Sequence, residues 1–221
     1  MKILITGGGC REYIDSVRFV TNSSSGRTSA QIADALAAKG HQVTLITASS
    51  AIKAKESSIN MILFETGAEL SEAIKAELTS SPYDAVIHAA AVSDYVPDTV
   101  TVGGETIKAG KNGKLHSGGE MTVTFRPSPK IADSLHDWAA ESGNADAKVV
   151  CFKLTSGADE SEKKRAVTSL FSHSKADFVV YNDLSQITPS KHPFKILNGK
   201  GECLAEGETN AELAEKLEEV L

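Results

Sequence analysis

Residues 2–40 read KILITGGGCREYIDSVRFVTNSSSGRTSAQIADALAAKG, and this stretch decides the fold. It opens on a short, apolar, β-branched run, Lys2–Thr6, which stops at Gly7, Gly8 and Gly9. That pattern reads as a buried strand entering a tight turn. It closes on Ser29–Lys39, where Ile32, Ala35 and Leu36 follow helical spacing and Gly40 supplies the stop. Just before that helix stand Asn22, Ser24, Ser25 and Gly26, with Arg27 beside them. The first turn of a helix exposes unpaired N–H groups and about half a unit of positive charge. The run is therefore either a plain helix cap or a cradle for phosphate. A strand-to-helix connection is ordinarily about two to six residues. This one is far longer and holds Arg11, Glu12, Asp15 and Arg18, which favours a site over a linker.

The same alternation continues along the chain. Strands are expected at 42–47, 60–64, 84–89, 148–152 and 177–181, with helices at 68–78, 129–140, 159–172 and 210–221. Continuous apolar strands alternating with helices predict an α/β fold: a Rossmann-like, doubly wound, mostly parallel sheet covered on both faces. In such sheets the ligand sits beyond the carboxyl ends of the strands. The loop after the first strand and the small-residue loop 89–94 should thus face each other across one crevice. Residues 97–120 break the pattern. They are rich in Gly, Thr and Lys and read as an excursion, a short hairpin or a flap. Residues 121–125 alternate like a strand. Residues 193–205 read as a C-terminal hairpin around an NGKG turn. No linker divides the chain, so residues 1–221 are expected to form a single nucleotide-binding α/β domain.

Composition narrows the function. The 221 residues carry a net charge of −6, and no basic stripe of the kind a nucleic-acid binder shows. No apolar run approaches the roughly 20 residues of a membrane span. Cys10, Cys151 and Cys203 make an odd set without a pairing pattern, and the first residues lack the apolar core of a secretory signal. A cytoplasmic protein without nucleic-acid or membrane partners is expected. His88 follows a buried strand and reads as a core imidazole, and the other histidines lack metal-ligand spacing. The glycine cluster is followed by Cys10, Arg11 and Glu12 rather than by a full GxGxxG. None of Tyr13, Tyr83, Tyr95 and Tyr181 has a Lys four residues on. An NAD(P)-dependent short-chain-type oxidoreductase therefore fits the fold but lacks its chemistry.

Several motifs recur together in one known family. The run ITGGGCREYIDSVRFVTNSSSG at 5–26, HAAAVSDY at 88–95, GKLHSGGEMTVTFRPSPKI at 113–131, VVCFKL at 149–154 and YND at 181–183 resemble, in order, the signatures of the phosphopantothenoylcysteine synthetase (phosphopantothenate–cysteine ligase) family. The likeness is to its stand-alone form, without the flavoprotein decarboxylase half that is fused to it in many bacteria. The resemblance implies a ligase of coenzyme A biosynthesis that activates 4′-phosphopantothenate with a nucleoside triphosphate, CTP or ATP, together with Mg²⁺. L-cysteine then attacks the acyl-nucleotide. It also implies a homodimer. A non-catalytic nucleotide-binding homologue is the remaining alternative.

Site residues follow from the resemblance. Asn22 matches the Asn placed at the acyl-nucleotide, and its other reading is a helix cap. Gly8, Ser24, Ser25 and Gly26 match the triphosphate cradle. Arg18 matches a residue that holds phosphopantothenate, and its other reading is a surface pair with Asp15. Ala90 and Ala91 allow close approach of the ligand. Asp94 matches a nucleotide-binding carboxylate, with a turn Asp as the alternative. Lys114 aligns with the catalytic flap lysine, with Lys108 and Lys111 as neighbours. Pro129, at the turn after the flap, is placed with Lys114 on the nucleotide side, and Phe152 packs on the nucleotide or in the core. Metal ligands are unassigned. Three departures stand out. Cys10 replaces a Thr, Ser29 replaces a Gly, and the two nucleotide-side lysines expected before 177–181 fall near Leu170 and Ser174. Lys175 is the nearest substitute.

Overall fold

The KILIT run becomes β1 (Lys2–Gly7) and lies inside an eight-stranded sheet. The computed structural model describes residues 1–116 and 118–221. In chain order the next elements are a small hairpin, β2 (Arg11–Tyr13) and β3 (Phe19–Thr21), then α1 (Arg27–Ala38) and β4 (Gln42–Ala48). They are followed by β5 (Asn60–Phe64), α2 (Gly67–Ser80) and β6 (Ala85–His88). An antiparallel arm comes next, made of β7 (Tyr95–Val102), β8 (Glu105–Lys108) and β9 (Met121–Pro127). The chain returns through a 3₁₀ turn at Ile131–Ser134 into α3 (Leu135–Glu141), β10 (Lys148–Thr155), α4 (Glu160–Ser174) and β11 (Phe178–Asp183). It finishes with β12 (Phe194–Asn198), β13 (Cys203–Gly207) and α5 (Asn210–Val220).

The sheet order is β13-β12-β11-β10-β6-β1-β4-β5. Strands from β5 to β11 pair in parallel, and β12 and β13 extend that edge antiparallel. The fold is the expected Rossmann-like, doubly wound α/β sheet. Its strand order reverses between β1 and β6. One apolar layer packs Ile3, Ile5, Leu45 and Val150 against Ile32 and Leu36 of α1 and Leu213 and Leu217 of α5. The other packs Leu4, Ile46 and Val86 against Leu70, Ile74 and Leu78 of α2 and Leu135 of α3. Each such side chain contributes roughly 1.5–3 kcal/mol on burial. The sheet is thus a rigid base for the loops at its carboxyl edge.

Local chemistry sets the helix ends. Thr66 and Glu69 close a capping box on α2, and Thr209 and Glu212 close one on α5. Helix α1 ends as Gly40 takes φ 87°, with His41 N–H bonded to the Leu36 carbonyl at 3.2 Å and Gly40 N–H to Ala37 at 2.9 Å. Two expectations change. Residues 97–120 are not a lone hairpin but two strands of a three-stranded arm that recruits the 121–125 strand as well. The helix expected from Pro129 starts as a 3₁₀ turn at Ile131 and becomes α-helical at Leu135.

The start of α1 presses directly on the end of β1. A Cβ added at Gly7 would lie 1.7 Å from Ser29 Oγ and 2.4 Å from Ser29 Cβ. Ser29 is buried and its hydroxyl donates to the Gly26 carbonyl at 2.8 Å. The Ser in place of a Gly is therefore accommodated by the missing side chain at Gly7. Gly7→Ala is expected to destabilise the protein by about 1–3 kcal/mol through overpacking. Ser29→Gly in the same chain should restore most of that loss in urea denaturation.

Candidate active site

The glycine turn after β1 and the loop after β6 run side by side rather than across a crevice. Ala91 N–H bonds to the Gly8 carbonyl at 2.8 Å and Cys10 N–H to the Ala91 carbonyl at 3.2 Å. Asn22 joins the same wall, its Nδ2 donating to the Val92 carbonyl at 3.0 Å. Beneath the wall, Thr6 Oγ1 lies 2.9 Å from His88 Nδ1 and accepts from the Ala90 N–H at 3.1 Å. His88 is thus the satisfied core imidazole the sequence indicates, and burial lowers its pKa to about 4.

The crevice itself lies between this wall and the end of the sheet beyond it. It encloses about 750 Å³, bordered by Ser24, Ser25, Gly26, Ala90, Ala91 and Phe152. The opposite wall is formed by residues 187–192 and the start of α5. Phe152 is half-buried and packs on the layer below. Gly8 acts underneath: a Cβ there would meet Ala48 Cβ at 2.7 Å and Ala51 Cβ at 2.9 Å.

Helix α1 opens into this crevice without a side-chain cap. Its N-cap is Gly26 in the left-handed region, φ 70°, where a Cβ would lie 2.6 Å from Ala51 Cβ. Ser29 turns its hydroxyl back to the Gly26 carbonyl, and Ser25 Oγ reaches the Arg27 N–H only at 3.4 Å. By contrast, α2, α4 and α5 are capped by Thr66, Asp159 and Thr209. The plain-cap reading of NSSSG is therefore not what the fold realises. First-turn N–H groups and the helix charge face the cleft, which is an arrangement suited to an anion.

Other anticipated residues lie elsewhere. Asp94 is exposed at the foot of the arm, ion-paired with Lys130, and its carbonyl accepts from Ser128 N–H at 2.9 Å, next to Pro129. Arg18 pairs with Asp15 at 3.1 Å, the local pair the sequence allowed for, and also reaches the flap. Lys111 is committed to Glu65 at 2.7 Å, whereas Lys114 is exposed and has no ion pair among the described residues. Lys175 is not brought to the site. It forms the left-handed end of α4, φ 55°, and α4 carries the chain back to the opening edge of β11. The Asp177 N–H bonds there to Val149, at the start of β10.

Lys153, Lys191 and Asn210 at the cleft are not among the residues that the sequence singles out. Lys153 and Lys191 line it together with Arg27, and Lys153 directly follows the Phe that was singled out. Asn210 spans the two helices, its Nδ2 donating to Gln31 Oε1 at 2.8 Å. Asn182 and Asp183 fasten both ends of the far wall. Asn182 Nδ2 donates to the Pro193 carbonyl at 2.7 Å, and Asp183 Oδ1 accepts from Ser185 Oγ at 2.7 Å and Gly157 N–H at 2.9 Å. The Ser185 hydroxyl, then the Gly157 and Ser185 N–H groups, hold the Asp183 carboxyl far below the usual range. Among the described residues no three His, Cys, Asp or Glu side chains converge as a metal site, and no helix is long and apolar enough to cross a membrane.

Comparison with known proteins adds to this geometry. A family profile described as the DNA/pantothenate metabolism flavoprotein C-terminal domain matches residues 1–220. The coenzyme A biosynthesis bifunctional protein CoaBC of Thermococcus kodakarensis is 32% identical over 216 residues. Those residues are 98% of this chain and 49% of the relative, so the chain spans about half the length of that protein. The crystal structure of the DNA/pantothenate metabolism flavoprotein from Streptococcus pneumoniae superposes with a TM-score of 0.85 at 26% identity, covering 100% of this chain and 97% of that one. A Cab2 variant in complex with phosphopantothenate-cysteine shares the fold, with a TM-score of 0.75 at 19% identity over 98% of this chain and 85% of that one.

His88 ties this wall to solution pH. It stays neutral in the folded protein down to about pH 4, while the unfolded chain takes up a proton below about pH 6.5. Its contribution is whole above the upper value and is lost as pH falls towards the lower one, at up to about 1.4 kcal/mol per pH unit. His192, also lowered by burial, acts in the same direction. In urea denaturation at pH 7 and pH 5, His88→Gln is expected to lose less stability between the two than the wild-type protein does.

Proposed function

The chain belongs to the DNA/pantothenate metabolism flavoprotein C-terminal domain family, and from that premise we propose that it is the ligase joining 4′-phosphopantothenate to L-cysteine. The observation that carries the reading is the uncapped start of α1 opening into the crevice. A nucleoside triphosphate lies along Gly26–Ser29 with its phosphates on the main-chain N–H groups, and Arg27, Lys153 and Lys191 add positive charge. Phe152 supports the base or ribose. The phosphopantothenate carboxylate attacks the α-phosphorus, the P–O bond to the leaving group breaks, and pyrophosphate departs. The cysteine amine then attacks the acyl carbon, an amide forms, and the nucleoside monophosphate leaves. Both steps depend on positioning and on neutralising developing charge, with no protein nucleophile.

Asn22 suits the second step. One Nδ2 hydrogen is spent on Val92, and the amide has a second to give the oxyanion formed on cysteine attack. Lys114 is the flap cation of the first step, in line with the engagement of Lys111 elsewhere, and Arg18 holds the acid substrate. Ala90 and Ala91 keep the wall low. Asp94 contributes to the nucleotide only once it yields Lys130. Mg²⁺ would enter with the nucleotide and offset the charge of its phosphates. We read the whole chain, residues 1–221, as one catalytic unit working as a cytoplasmic homodimer. Val17, Phe19, Met121 and Phe125, exposed by 38–56% on the hairpin and arm, are the surface that supports the dimer.

Incubation with phosphopantothenate, cysteine, Mg²⁺ and either CTP or ATP should release pyrophosphate only when phosphopantothenate is present. Phosphate-only release, or none with either nucleotide, would contradict the reading. Asn22→Asp is expected to release pyrophosphate at a near-normal rate while slowing amide formation about 10²–10³-fold. Lys114→Gln should abolish pyrophosphate release, and normal release would remove Lys114 from that step.

A further inference from the structure

Asp15 lies in the bend between β2 and β3, 1% exposed, and the ligation chemistry gives this buried carboxylate no role. Its Oδ1 accepts from the N–H of Val17 at 2.9 Å and of Arg18 at 2.7 Å. Its Oδ2 faces Arg18 Nε at 3.1 Å and accepts from the Leu115 N–H at 3.2 Å. Leu115 is held a second time, because its carbonyl accepts from Arg18 NH2 at 3.0 Å. Two residues earlier the Gly113 carbonyl accepts from Ser16 N–H at 2.9 Å. Lys114 is therefore bracketed by two flap residues fastened to the hairpin, across about a hundred positions of sequence.

The same contacts orient Arg18. A guanidinium carries five N–H donors. Nε is used on Asp15, one N–H of NH2 on Leu115 and one of NH1 on Met121 Sδ at 3.5 Å. One N–H on each terminal nitrogen remains for an anion, and the side chain keeps 36% exposure. An exposed ion pair would contribute little order. A carboxylate that is 2% exposed and takes four donors fixes what it holds.

We propose that Asp15 is a positioning residue for the ligation: it fixes Arg18 directly and Lys114 through Leu115, so that the hairpin and the flap present two cations to the acid substrate as one preset surface. The inference rests on the ligase reading. It adds a reason for the buried acid, for the hairpin inserted after β1 and for the contact between hairpin and flap. Replacing the carboxylate by an amide of the same shape leaves an NH₂ facing donors on one side or the other.

Asp15→Asn in the full-length protein tests it with two readouts. Hydrogen exchange at the Leu115 amide should speed up about tenfold or more, pyrophosphate release should slow as Lys114 loosens, and the KM for phosphopantothenate should rise about tenfold or more while the KM for the nucleotide moves less than about twofold. Arg18→Lys added to Asp15→Asn should cost far less than it does alone. Unchanged flap exchange, equal rises in both KM values, or additive effects of the two substitutions would each overturn the proposal. If Asp15→Asn does not fold, Arg18→Gln carries the test, because losing the bond to the Leu115 carbonyl should speed the same exchange, and unchanged exchange overturns it. A wild-type protein that forms no phosphopantothenoylcysteine fails the ligase reading, and the positioning role with it. An active wild type whose variant leaves flap and KM unmoved sinks only the role of Asp15.

Discussion

Helix α1 reaches the carboxyl edge of the sheet through a contact that glycine alone permits. Ser29 fills the space where a side chain at Gly7 would stand, and Gly26 closes over Gly8 and Ala51 in a left-handed conformation. Any Cβ at these positions would lift the helix start away from the strand. With the contact made, the helix begins without a side-chain cap and its free N–H groups look into the crevice. No hydroxyl of NSSSG caps that end, the Ser25 Oγ lying 3.4 Å from the Arg27 nitrogen. The position of this uncapped helix start thus follows from packing at the strand end and not from any one polar side chain.

The wall beside it is assembled by short-range bonding between two loops. The strand order reverses between β1 and β6, so their carboxyl ends diverge into loops free of helix cover. Here the loops close on each other through Gly8, Cys10 and Ala91. Thr6 and His88 support them from below. The cleft is displaced towards β10 and β11, where Asn182 and Asp183 hold the opposite wall. Hairpin and arm then add a second layer, in which buried Asp15 joins segments that are far apart in sequence.

Much of this was legible in the sequence. Apolar runs such as KILIT and KVVCF, and helices with apolar residues three and four apart, fix the parallel sheet because burial on both faces leaves a strong periodic signal. For the arm, the sequence indicates a hairpin or flap at 97–120 and a strand at 121–125, but not their union in one three-stranded sheet. All four residues of β8 are exposed, so no alternation marks it, and β2 and β3 have three residues each, too few for a pattern. Lys175 was misplaced for a topological reason. Proximity in sequence to β11 puts it at that strand's opening edge, away from the crevice. The pairing of Asp94 with Lys130 and the bracketing of Lys114 are tertiary facts without a local signature. Of the residues that the motifs single out, Gly26, Ala90 and Phe152 border one crevice, and Asn22 lies beside it with its Nδ2 on the Val92 carbonyl.

The central claim is that the main-chain amides at the start of α1 grip the polyphosphate. Amide chemical shifts followed by ¹H–¹⁵N NMR during titration with a non-hydrolysable nucleoside triphosphate examine it most directly. The largest changes should fall on the N–H groups of Gly26, Arg27, Thr28 and Ser29, with smaller ones at Ala90 and Phe152. Saturable binding that leaves those four amides unmoved, with shifts confined to another surface, would contradict the account.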